Sequence, residues 1–134
     1  MTVSGAVARI QTIAAAVSGV NVAPSLPPEQ IAQFPVAVSY VSECTVAARY
    51  SGAHAHSQWI ITTEIHVSRK DLPRDYDLLD DIGAAFAVAV AAEPDLTGTV
   101  SAMIETRGTL GPSQWAGQDT LAWVFKTLCD IRNT

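Results

Sequence analysis

The residues with the most chemical promise lie between positions 43 and 66: Glu43, Cys44, His54, His56, Glu64 and His66. His54 and His56 stand two apart in "RYSGAHAHSQWI" (49–60). Side chains at i and i+2 of a strand project to one face, so the pair can chelate. A structural zinc needs four ligands and a catalytic one usually three. Glu43, Cys44, Glu64 and His66 are the candidates for the remainder. No H-E-x-x-H or C-x-x-C pattern accompanies them. Cys44 with either histidine of the pair would make a thiolate–imidazole couple. It has no local activating signature, and a free cysteine usually packs as a small hydrophobe.

Other chemistry is weaker still. There is no G-x-S-x-G elbow. "RGTLGPSQWAG" (107–117) has the glycines of a phosphate loop but neither G-K-[ST] nor a helix after it. Asp77 and Asp81 share a helix face at i and i+4, but acids at a helix start ordinarily serve the dipole. The expectation is a protein that is not an enzyme, with no cofactor and no metal ligands. The competing expectation is a small metal-dependent enzyme built on His54, His56 and His66.

The chain of 134 residues is one domain's length, 1–134, with 49% hydrophobic and only 16% charged residues. Soluble domains carry about 25% charged residues. Few charges and a mean hydropathy of +0.22 point to surface covered by partners, or else to an alanine-rich composition that inflates the hydrophobic count without making sticky surface. Net charge is −5 with eight Lys and Arg and no basic run. Gripping phosphates needs clustered cations. Binding nucleic acid by affinity is therefore not expected, although a mildly acidic protein can lie beside DNA without gripping it. Cys44 and Cys129 make no disulfide framework and are expected to be reduced. The start has no signal-peptide pattern. The apolar run "IGAAFAVAVAA" (82–92) is far short of a membrane span.

Periodicity supplies the elements that must position these residues. Val3, Val7, Ile10, Ala14 and Val17 share one face of a helix over 3–17, with Thr2 or Ser4 as cap and Gly19 just past its end. A proline-containing connector leads to a strand, "FPVAVSYV" (34–41), and a second short strand is possible at 44–50. "QWIITTEIHVS" (58–68) alternates. Trp59, Ile61, Thr63, Ile65 and Val67 form a core face, and Ile60, Thr62, Glu64 and His66 a wet or interfacial one. A second helix over 75–92 buries Tyr76, Leu79, Ile82 or Gly83, Phe86 and Val90. Gly83, Ala84 and Ala87 there allow another element close approach. Strands follow at 99–106 and 119–131, with 107–118 read as a glycine-rich loop whose Trp115 is either exposed as a binding anchor or folded back over the sheet edge. The pairs 36–41 with 59–68 and 99–106 with 119–129 flank the second helix. The fold expected is α+β: a mostly antiparallel four- to five-stranded sheet with two helices packed on one face.

The order of "FPVAVSYV", a variable polar stretch, the Trp-led "QWIITTEIHVS", "LPRDYDLLDDIGAAFAVAV", "LTGTVSAMIETRG", a Gly/Trp loop and "DTLAWVFKTLCDI" resembles the tail-terminator (tail-completion) proteins of long-tailed phages, the minor tail protein U family of lambda-like phages. The resemblance implies a structural virion protein of the tail or neck, assembled in the host cytoplasm. It implies a ring, hexameric in the family, that caps the tail tube, ends tube polymerisation and meets the head–tail connector or stopper protein. DNA would pass through the lumen. A neighbouring head–tail connector subunit is the close variant. The loops at 42–57 and 107–118 are then the candidate contacts with neighbours or the tube. They contribute Arg49, Tyr50, His54, His56, Arg107, Gln114 and Trp115 as interface candidates. The Ala-rich first helix and the tail "CDIRNT" depart from the family pattern.

Overall fold

The computed structural model describes residues 2–28, 33–47, 55–69 and 72–133. Chain order is α1 (Val3–Ala16), β1 (Val36–Ala47), β2 (Ala55–Ser68), α2 (Leu72–Ala91), β3 (Ala102–Trp115) and β4 (Gln118–Asn133). The four strands form one sheet in the order β1-β2-β4-β3, antiparallel throughout. Both helices pack on one face, so the fold is α+β with four strands.

α1 starts where Thr2 Oγ1 accepts the Gly5 N–H at 3.0 Å and closes at Val17, before Gly19 at positive φ. Its buried stripe is Ala6, Ile10, Ile13 and Ala14. Gln11 is buried as well. Its Nε2 donates to the carbonyls of Pro24 and Ala37 at 2.8 and 2.7 Å. Together with the Ala37 N–H donating to the Val22 carbonyl, this ties the connector to the outer edge of β1. The Phe34–Pro35 peptide that leads into β1 is cis.

β1 runs as a single strand over Val36–Ala47, where parts of two strands were expected; residues 48–50 of the second lie outside the described residues. A bulge between Val41 and Glu43 breaks its alternation: Val41 pairs with Ile61 and Glu43 with Ile60. One extra residue, Ser42, is absorbed, and its Oγ donates to the Ile60 carbonyl. Val41, Cys44 and Val46 therefore share the helix-side face.

α2 begins three residues before the expected start. Pro73 sits in its first turn, where a missing N–H is harmless. Leu79, Ile82, Gly83, Phe86 and Val90 are buried as expected, but Tyr76 is half exposed. The expected close approach at Gly83 is present. The Trp123 indole lies against the helix, and Nε1 donates to the Leu79 carbonyl at 2.9 Å. A Cβ on Gly83 would lie 2.2 Å from that nitrogen. Trp123 stacks on Phe125 at 5.2 Å between ring centroids, and Phe125 meets Phe86 at 4.9 Å.

The stretch expected to be a glycine-rich loop is most of β3. Gly108 stands where a Cβ would lie 2.6 Å from the Phe125 ring, so its glycine is a packing requirement. Pro112 is tolerated because β3 is an edge strand. A two-residue turn, Ala116–Gly117, both at positive φ, joins β3 to β4 in the twist hairpins favour. No helix among the described residues is long and apolar enough to cross a membrane.

Gly83→Ala tests the seat of α2. Alanine gains helix propensity of about 1 kcal/mol. Overpacking costs about 1–3 kcal/mol, and the displaced indole loses its hydrogen bond, worth about 1 kcal/mol. Net destabilisation of about 1–3 kcal/mol is expected in urea unfolding. A variant as stable as the parent would mean that the indole does not rest on Gly83.

Candidate functional site

Two regions carry side chains that packing alone does not explain. The first lies on the sheet face opposite the helices. Residues 61–67 of β2 are buried on both faces within the subunit, so Thr62, Glu64 and His66 are not on the wet or interfacial face expected of them. They are covered from a distance. Trp115, at the end of β3, lays its ring 5.7 Å from His66 and 6.5 Å from Tyr40, centroid to centroid. Trp115 Nε1 donates to the Pro28 carbonyl at 2.8 Å, which fastens the connector over the same face.

Beneath that indole the polar groups satisfy one another. His66 is fully buried. Its Nδ1 is 2.7 Å from Thr120 Oγ1 and its Nε2 is 3.1 Å from Glu64 Oε1. The other Glu64 oxygen accepts the Tyr40 hydroxyl. Burial alone would raise the Glu64 pKa. The hydrogen bonds from His66 and Tyr40, with the imidazole's charge, outweigh it and hold the carboxyl below its ordinary value. Burial first, and then Glu64, push the Tyr40 phenol well above its ordinary value. This is a closed network. Both His66 ring nitrogens are engaged, so His66 adds no metal ligand without breaking a bond. No group of three or more potential metal ligands occurs among the described residues.

The second region is the rim of the sheet. The helices cover β1, β2 and β4 but stop short of β3. The gap is a groove of about 590 Å³ between α2 and β3, lined by Ala87, Met103, Gly108, Trp123 and Phe125, with Glu105 at its margin. At the opposite side of the sheet, residues 41–46 of β1 are all exposed, Val46 to 63%. Among the described residues, no backbone hydrogen bond reaches the free edge of β1 beyond Ala37. None reaches the free edge of β3 beyond Met103.

Arg107, Gln114 and Trp115 lie on β3. Arg107 is 80% exposed, 3.1 Å from Glu105, and stands opposite Lys126 on β4. Gln114 Nε2 donates to Asp119 at 2.9 Å across the hairpin. Trp115 is half-buried, with the internal partners just described. The backbone of His56 pairs with Ala47 and Arg132. Arg49, Tyr50 and His54 lie outside the described residues. Cys44 is exposed and Cys129 is buried, its thiol pushed up to about 11 by burial, which leaves it inert at neutral pH. Glu43 and Val46 are not among the interface candidates named from the sequence, although both lie in the 42–57 stretch expected to make contacts.

The chain matches no protein-family model and no curated protein.

Two outcomes check the buried network. A carboxyl whose folded pKa is depressed stabilises the fold above its unfolded value, ordinarily 4.5, and that contribution is lost as pH falls through the folded value. Glu64→Gln should therefore lower the melting temperature at pH 7, with the gap to the parent narrowing below about pH 4.5. A gap that stays constant down to pH 3 would show that Glu64 carries no such linkage. Trp115→Phe should cost about 1 kcal/mol through the lost bond to Pro28. Trp115→Ala should cost about 2 kcal/mol or more as the cover over His66 goes too. Equal effects would mean that only the hydrogen bond matters.

Proposed function

We propose that this chain is a structural virion subunit of the tail-terminator kind. It assembles into a ring that caps the phage tail tube, ends tube polymerisation and meets the head–tail connector or stopper protein. The observation that carries the reading is the open sheet. Its hydrogen bonding stops at two exposed edges, β1 and β3, on opposite sides of the subunit, with an apolar groove beside one of them. A monomer that stayed alone would leave both edges as templates for unwanted pairing. Different surfaces on opposite sides give head-to-tail contacts, and such contacts close into rings when the rotation permits. The low charged fraction fits a surface that is covered on assembly, and the net charge of −5 fits a lumen through which DNA slides. The order of elements supports the same reading through the resemblance. The ring's partners are then copies of itself, the tube protein and the connector.

Native mass spectrometry and negative-stain imaging test this, on the purified protein and on the protein mixed with tubes of the same phage. Rings alone, or rings seated on tube ends, are the expected result. A protein that stays monomeric in both settings overturns the reading.

A further inference from the structure

We propose that the ring contact is an edge-to-edge strand addition, with β1 of one copy pairing antiparallel with β3 of the next. The proposal rests on the self-assembling reading above and names the surfaces that join.

Direction comes first. Along β1-β2-β4-β3 the strands alternate, so β3 runs opposite to β1. A neighbour related by rotation about an axis along the strands keeps the direction of its β1. Its β1 therefore arrives antiparallel to β3, and the alternation continues unbroken around the ring.

Charge fixes the register. On the face away from the helices, Glu43 is the charged side chain of the exposed β1 segment. On the same face β3 presents Arg107, which sits opposite Lys126. Two cations facing each other across strands repel, and Glu105 answers only one of them. A carboxylate from the neighbour's Glu43, placed opposite Arg107, supplies the missing negative charge.

The same register satisfies the other face. With Glu43 opposite Arg107, Val41, Cys44 and Val46 come opposite Gly108, Thr106 and the Met103–Ile104 bulge, on the helix side of the sheet. That is where the helices leave the groove uncovered. The exposed valines of one copy then cover the floor of Met103 and Phe125 in the next. Glu43 meets Arg107 on one face, and the valines lie toward the apolar groove on the other. The bulge at Val41 and Glu43 makes this possible by placing Cys44 and Val46 on Val41's side.

The test is a disulfide across the proposed pair. In a Cys44→Ser background, Glu43→Cys with Arg107→Cys is oxidised mildly with oxidised glutathione, alone and on tubes, and resolved without reductant. The expected result is a ladder of covalent oligomers ending at the ring size, with no ladder from either cysteine alone. A covalent dimer from Glu43→Cys alone would mean that β1 pairs with β1 and would overturn the proposal. Rings in native mass spectra without any ladder would overturn this contact while leaving the ring reading intact. No rings in either setting would overturn both. In parallel, Glu43→Arg or Arg107→Glu alone should raise the concentration for half-assembly about tenfold or more, since like charges then meet. The double exchange should recover most of it. A double exchange no better than the singles would remove the ion pair from the contact.

Discussion

The seating of α2 on the sheet governs much of what this molecule offers to its surroundings. Trp123 rests its indole against the helix at Gly83 and donates to the Leu79 carbonyl. The bare backbone there lets the helix come down onto β2 and β4, where Phe86 meets Phe125. A helix held at that point cannot also reach β3. The groove beside β3 is thus the consequence of a tight contact one strand away. Its floor is the far side of the same aromatic pair, Trp123 and Phe125, that anchors the helix.

The opposite face is closed by different means. Among the described residues no helix lies there, yet His66 is fully buried. Cover comes from one large side chain, Trp115, delivered by the β3–β4 hairpin, and from the connector it holds through Pro28. Burying polar groups under such a cover is tolerable only if they pair with one another. Tyr40, Glu64, His66 and Thr120 do so, one from β1, two from β2 and one from β4. The network links three strands at the end of the sheet where the connector crosses. It is a device for fixing the register and the path of the connector, and it leaves the rest of the rim free.

Much of this architecture could be read along the chain, because the signals were local. The stripe Ile10, Ala14, Val17 and the alternation from Trp59 to Val67 each follow from one element's own periodicity. So did the value of a small residue at Gly83. What was hidden depended on distant segments. Thr62, Glu64 and His66 look like a wet face until Trp115 arrives from about fifty residues away. Residues 107–115 look like a loop because glycine and proline punctuate them. At an edge, however, Pro112 forfeits little, and Gly108 answers to the Phe125 ring. One bulge made β1 look like two strands. Of the interface candidates, Arg107 stands exposed on the rim, whereas Trp115 has its ring and its N–H engaged within the subunit. Glu43, weighed only as a metal ligand, faces outward on the opposite edge.

The two edges differ in how well they are guarded, and that difference bears on how copies would meet. Natural sheets blunt free edges with lysine, proline, bulges or covering segments. The first part of β1 is covered by the connector and by Gln11, whose amide occupies the Ala37 carbonyl. β3 carries Pro112 toward its hairpin end and Arg107 near its middle. What remains least guarded is the second half of β1 and the first half of β3. Because adjacent strands alternate in direction, the second half of β1 and the first half of β3 lie toward the same end of the sheet. Guarding one half of each edge leaves a single stretch where pairing is open. In the assembly we propose, copies added there would meet at a common level and not in a sliding stack. A contact confined in that assembly to one height along the axis would fit a closed ring better than an open filament.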